Sequence, residues 1–154
     1  MRIREAREKD VDAILELVKK LADYHRRIDK DYRPGKKLPR GYKNRFLEII
    51  RKKNSKIVVA ENGGKIVGYF SGKIEKAKPY LIFKRMGKIS NAFIEEGYRG
   101  KGIGKKMLDF LIKWFKKKGI ECVEVSVDLR NKIGVNFWKK SGFKGYIKKM
   151  KLKL

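Results

Sequence analysis

The chain has 154 residues and a formal net charge of +26, from 43 Lys and Arg against 17 Asp and Glu. At that length a core buries about two-thirds of the unfolded surface without disulfides or metal, so one domain over residues 1–154 is expected. Cys122 is the only cysteine, which excludes an intrachain disulfide and leaves a Cys-based metal site without ligands. No stretch approaches the ~20 apolar residues of a membrane span, and Met1-Arg2-Ile3-Arg4-Glu5 has no apolar signal core, so a reducing cytoplasm is the expected setting. The charge favours anionic ligands: a phosphorylated cofactor, nucleic acid, anionic membrane or acidic substrate. It is equally what a heat-adapted, lysine-rich surface carries for stability alone.

In chain order, residues 2 to 6 read as a short strand. Asp10 is placed to cap a helix whose apolar positions Val11, Ile14, Leu15, Val18, Leu21 and Ala22 recur at helical spacing. Residues 29 to 39, with Pro34 and Pro39, read as a loop able to reach over a substrate, and residues 41 to 53 as a second helix. Ile57-Val58-Val59-Ala60, Asn62-Gly63-Gly64 and Ile66-Val67-Gly68-Tyr69-Phe70 predict a hairpin, the glycines supplying the positive φ of a tight turn. Residues 75 to 87 read as irregular and basic. A strand follows near 88 to 94 and a helix at about 103 to 118, striped by Ile103, Met107, Leu108, Leu111 and Phe115. Gly119 stops that helix, residues 122 to 127 predict a strand, and residues 131 to 140 a short helix ended by Gly142. The tail from Tyr146 to Leu154 sets Ile147, Met150, Leu152 and Leu154 among lysines, a pattern that predicts a last strand.

Tyr98-Arg99-Gly100-Lys101-Gly102-Ile103-Gly104-Lys105 is the most informative stretch. Three glycines and alternating cations precede an amphipathic helix whose first N–H groups lack intrahelical partners, so the pattern points to a pyrophosphate. A Walker loop needs a glycine five residues before its Gly-Lys and a hydroxyl after it, where Arg99 and Lys106 stand. The dinucleotide fingerprint fails on spacing, from Gly100 and from Gly102 alike. Arg-x-x-Gly-x-Gly (Arg99, Gly102, Gly104) fits, and it resembles motif A of the GNAT superfamily of acyl-CoA-dependent N-acyltransferases. Asn131, Gly134, Phe137, Trp138, Gly142 and Phe143 resemble motif B of the same family at matching spacing.

The resemblance implies an α/β (α+β) fold, with a mixed, mainly antiparallel central sheet flanked by helices. It implies acetyl-CoA as cosubstrate, no metal, and an amine acceptor attacking directly in a ternary complex. The strand ending at Phe93 and Ile94 is then expected to splay from its neighbour and offer backbone groups to the pantetheine arm. The amides of Arg99, Gly100, Lys101, Gly102, Ile103, Gly104 and Lys105 would hold the pyrophosphate, Asn131 would touch the arm, and Phe137 and Trp138 would flank the thiol end.

Acyl transfer needs an unprotonated amine, an oxyanion donor and a proton for the departing thiolate. The backbone N–H near Ile94 is the expected oxyanion donor. The family's usual motif B acid is a tyrosine, and Trp138 stands there; an indole N–H donates a hydrogen bond but gives up no proton at neutral pH. A water, Tyr98 or another tyrosine from the acceptor side remains as the source. Glu95, just after the strand, and His25, the lone histidine, are the candidate bases, while solvated carboxylates and a helix-end histidine are the plain alternatives. The charge disfavours polyamines and leaves a small anionic conjugate, a protein N-terminus or aminoacyl-tRNA as acceptor, with a homodimer open and no membrane partner expected. The second reading is a catalytically degenerate GNAT-fold protein that binds nucleic acid or the ribosome. It rests on the basic surface and on two segments where cations interleave with aromatics, Tyr80-Leu81-Ile82-Phe83-Lys84-Arg85 and Tyr146-Ile147-Lys148-Lys149.

Overall fold

Five strands in the order β1-β2-β3-β4-β5 form one sheet, and the direction of the last pair sets the site. The computed structural model describes residues 1–154. In chain order the elements are β1 (Arg2–Glu5), α1 (Val11–Ile28), α2 (Tyr42–Arg51), β2 (Ser55–Asn62), β3 (Lys65–Lys76), β4 (Arg85–Ile94), α3 (Ile103–Lys117), β5 (Val123–Val125) and α4 (Lys132–Lys140). β1 to β4 pair antiparallel with their neighbours, and β5 lies parallel to β4. The mixed sheet flanked by helices agrees with the expected fold class.

Helices cover both faces, which is why Ile57 to Ala60 is apolar without alternation. Ile57, Val59, Tyr69 and Phe93 pack with Ile14, Leu17 and Leu21 of α1 and Phe46 of α2. Val58, Ala60, Phe70 and Ile89 pack with Met107, Leu111 and Phe115 of α3 and Trp138 of α4. Phe115 lies against Gly72 of β3 and Gly87 of β4, where an added Cβ would come within 2.9 and 2.7 Å of its ring. The two glycines therefore make a flat bed for one aromatic ring. Residues 75 to 87 read as irregular, yet β3 runs on to Lys76 and β4 begins at Arg85, because Glu75 and Lys76 pair across to Met86 and Arg85.

Two other expectations need correction. Asp10 does not cap α1 with its side chain. Its own backbone is already helical, at φ −86° and ψ −10°, and its carboxylate accepts from the Arg7 N–H at 2.7 Å and from Arg4 at 2.7 and 2.9 Å. It closes the single turn Glu8–Asp10 that runs into α1, and the hydrogen bond from Arg4 holds its carboxyl below the usual range. The tail beyond Phe143 forms no strand, and Ile147, Met150, Leu152 and Leu154 are all exposed. Ile147 is out of phase with the other three, so no strand register puts all four on one face. β5, only three residues long, also offers a short ladder. Tyr146 donates to Glu124 at 2.5 Å, and Lys151 and Lys153 pair with Asp29 and Asp31, so polar contacts fasten the tail. No helix is long and apolar enough to cross a membrane.

Phe115→Ala is expected to lower stability by about 3–5 kcal/mol, because the two glycines cannot fill the space the ring leaves. Urea unfolding followed by circular dichroism checks this, and a loss under ~1 kcal/mol would contradict the packing described.

Candidate active site

The site begins where a ladder ends. β5 pairs with β4 only at Gly87↔Val123, Lys88↔Glu124 and Ile89↔Val125, while β3, after a register shift that leaves Ser90 unpaired, stays with β4 as far as Ile94. From Ser90 onward one edge of β4 therefore has no neighbouring strand, and β4 and β5 part. The Glu95 N–H donates to Val67 at 2.9 Å, toward β3. Strand alternation then turns the Ile94 N–H the other way, into the gap. The Ile94 carbonyl points there too and accepts from Arg99 Nε at 2.8 Å.

Below the gap is the start of α3. Gly100 and Gly102 adopt φ +74° and +75°, the left-handed region that a side chain disfavours, and an added Cβ at either would meet nothing. Their role is conformational: a left-handed turn at each leads the chain from β4 into α3. Gly102 is the N-cap of α3 and has no side chain to occupy the free donors of Ile103, Gly104 and Lys105. Gly104 serves differently. A Cβ there would lie 3.0 Å from the Phe137 ring and 3.4 Å from Ile94 Cδ1, so its absence lets Phe137 close down between β4 and α3.

Motif B supplies the opposite rim. Asn131 caps α4, its Oδ1 accepting from the Gly134 N–H at 3.0 Å and from the Tyr24 hydroxyl at 2.8 Å. The carboxamide oxygen is thus occupied, which leaves the amide NH2 and the backbone for a ligand. Phe137 stacks edge-on against Phe70 and Trp138, at 6.2 and 4.9 Å between ring centroids. Trp138 is only 7% exposed and wedged among Phe70, Phe137 and Phe143, so it forms the floor behind Phe137.

Sequence reasoning undervalued Tyr24. It continues the α1 stripe from Leu21, and its hydroxyl reaches Asn131 while its ring carries Arg99 at 5.4 Å. Arg99 in turn stands over Phe93 and grips Ile94. Tyr24 thus touches the β4 rim through Arg99 and the α4 rim directly. The available signal was a hydroxyl-bearing aromatic at the next helical step of an apolar face.

The two candidate bases are kept apart. Glu95 lies in an ion-lined groove of about 630 Å³ between α1 and the β2–β3 turn, bound by Lys20 at 2.5 Å and Lys65 at 3.2 Å. The bond from Lys20 holds its carboxyl below the ordinary range, and a base for a protonated amine needs the reverse. His25 stacks on Tyr32 at 5.0 Å at the end of α1, and burial pushes its pKa down against the pull of Asp128. His25 is accordingly neutral at neutral pH, the form that accepts a proton. Asn91, another strand residue beside the gap, is tied to Ser71 at 3.1 Å.

Residues 16–143 match the acetyltransferase (GNAT) family model. The chain is 30% identical to an uncharacterized N-acetyltransferase of Methanocaldococcus jannaschii, over 97% of the chain and 66% of that relative. It is 32% identical to an N-alpha-acetyltransferase of Sulfurisphaera tokodaii, over 93% of the chain and 80% of the relative. A predicted acetyltransferase from Clostridium acetobutylicum, solved with acetyl-CoA, has the same fold at a TM-score of 0.78 and 23% identity, covering 99% and 95% of the two chains.

The lowered pKa of His25 carries a sign. The unfolded chain takes up the proton first as pH falls, so the stability due to neutral His25 is intact above its ordinary value near 6.5 and is lost below it. Between about pH 7 and 5.5 the urea midpoint of the natural chain should fall more than that of His25→Gln, and parallel curves would contradict the burial described.

Proposed function

The chain belongs to the acetyltransferase (GNAT) family and is an N-acetyltransferase, and from that premise we propose that it transfers the acetyl group of acetyl-CoA directly to a primary amine. Residues 1–154 act as one domain in the cytoplasm, and the proposed chemistry calls for no metal. The observation that carries the reading is the parting of β4 from β5 beside a helix N-terminus whose donors are left open by glycine. The amides from Arg99 to Lys105 suit a pyrophosphate, with Lys101, Lys105 and Lys106 adding positive charge. Acetyl-CoA supplies the activated acetyl group. The gap-facing Ile94 N–H suits the oxyanion that forms when an amine attacks, and Phe93, Ile94, Asn131 and Phe137 border the path.

His25 fits the role of proton acceptor better than Glu95, which is already the anion of two ammonium groups. With Trp138 in the usual place of the acid, the thiolate receives its proton from water or from the hydroxyl that spans the gap, Tyr24. As acceptor, similarity to an N-alpha-acetyltransferase supports the α-amino group of a polypeptide over small conjugates and aminoacyl-tRNA. The positive surface supports an acceptor with acidic residues after that amine.

Calorimetry with acetyl-CoA is expected to show saturable one-to-one binding, and Gly102→Val to weaken it by ~100-fold or more, since the φ of +75° that aims the amides is barred to valine. Equal affinity in a folded Gly102→Val chain would refute the pyrophosphate assignment. Removing the hydroxyl that spans the gap with Tyr24→Phe is expected to lower kcat by about 100-fold, within the usual range of acid catalysis. An unchanged kcat in a thiol-release assay would show that proton delivery to sulfur does not limit turnover.

A further inference from the structure

The two cation-and-aromatic segments at residues 80–85 and 146–149 are far apart in sequence and play no part in the cleft. The fold brings them to one edge of the sheet. The last β3–β4 pair is Lys76↔Arg85, and the hairpin continues past it, closed by the Ala77 N–H to Lys84 at 3.0 Å. β5 flanks the base of this hairpin, since the Gly87 N–H donates to Cys122 and Gly87 pairs with Val123. On its next residue, Glu124, β5 holds the Tyr146 hydroxyl at 2.5 Å. That bond to the Glu124 carboxylate is the main reason the Tyr146 phenol is pushed up to about 12, and Tyr80 adds a small effect of the same sign.

At this edge Tyr80 is 82% exposed, Ile82 93% and Tyr146 68%. Around them Lys76, Lys78 and Lys84 in the hairpin and Lys144, Lys148 and Lys149 in the tail have no carboxylate within ion-pairing distance, unlike Lys73, Lys151 and Lys153. From residue 144 to the end the chain carries no acid at all. A second copy of a +26 chain would meet like charge here, and a neutral apolar partner would leave the free lysines unanswered. A polyanion with flat apolar groups answers both features at once.

We propose that the hairpin tip, the β5 edge and the tail form a docking surface for single-stranded RNA, in which unpaired bases stack on Tyr80 and Tyr146 while the lysines track the phosphates. The ten residues of β4 run roughly 30 Å from this surface to the cleft, so both can be occupied together. The surface would bring the enzyme to acceptors carried on ribonucleoprotein. It stands or falls separately from acetyl-CoA binding.

The test is fluorescence anisotropy with a short labelled oligouridylate, beside an abasic sugar–phosphate strand of the same length. Charge alone attracts both strands, with a log–log salt slope near −4 if about six phosphates are neutralised. Stacking distinguishes them. The oligouridylate is expected to bind at least ~10-fold more tightly than the abasic strand, and Tyr80→Ala with Tyr146→Ala to erase that difference, with the thermal midpoint of the folded domain little changed, since both rings are exposed and only the surface bond from Tyr146 to Glu124 is lost. Equal affinity for the two strands, or a preference that survives the double variant, would overturn the proposal. So would a dimer in light scattering that the double variant abolishes and the oligouridylate does not compete with.

Discussion

The parallel ladder between β4 and β5 stops after three residue pairs, and the rest of the site depends on that stop. Backbone polar groups must be paired with protein or water, and β4 loses its β5 partner from Ser90 onward, where the β3 ladder is bulged, and keeps β3 from Asn91 to Ile94. The polar groups freed in this way point into a wedge. The chain's response is visible on both sides: Arg99 takes the Ile94 carbonyl, and Phe137 settles over Gly104 against Ile94. The Ile94 N–H is left turned toward the gap. An edge that would be a liability on an ordinary sheet becomes a place where an extended ligand can pair with backbone.

Charge is distributed with more order than a total of +26 suggests. Five of the seventeen carboxylates fix geometry around the site: Asp10 and Glu61 on Arg4, Glu95 between two lysines, and Asp29 with Asp128 around Arg130 near His25. Lys151 in the tail joins the last group through Asp29, whose carboxyl is held well below its usual range mainly by that lysine. Elsewhere the lysines stand largely without partners. The field that remains favours an anionic cosubstrate and disfavours a polycationic acceptor, and it concentrates at the β5 edge and along the tail.

The elements with strong periodicity were legible in the sequence. The stripes of α1 and α3, the Asn-Gly-Gly turn and the glycine run before α3 each state a local rule that the fold obeys. The parting of β4 and β5 was an expectation carried by family resemblance, and the structure contains it. What could not be read were contacts made across the fold. Tyr24 meets Asn131 from 107 positions away and Lys20 meets Glu95 from 75, so neither the bridge nor the quenched base has a local signature. Trp138 looked like a residue of the thiol end and is instead mostly buried among three aromatics, because the side of a short helix that packs inward is settled by its neighbours. The tail misled for a simpler reason: its apolar residues change phase after Ile147.

Amide hydrogen exchange at single-residue resolution, with and without acetyl-CoA, tests the central claim most directly. If the freed edge of β4 and the open end of α3 receive the cosubstrate, Ile94 and the amides from Gly102 to Lys105 exchange readily in the free chain and become protected together on binding. Amides of β4 that already pair with β3 should hardly change. Protection that appears elsewhere, or an Ile94 amide as slow in the free chain as its β3-paired neighbours, would show that the parting of the strands is not the binding site.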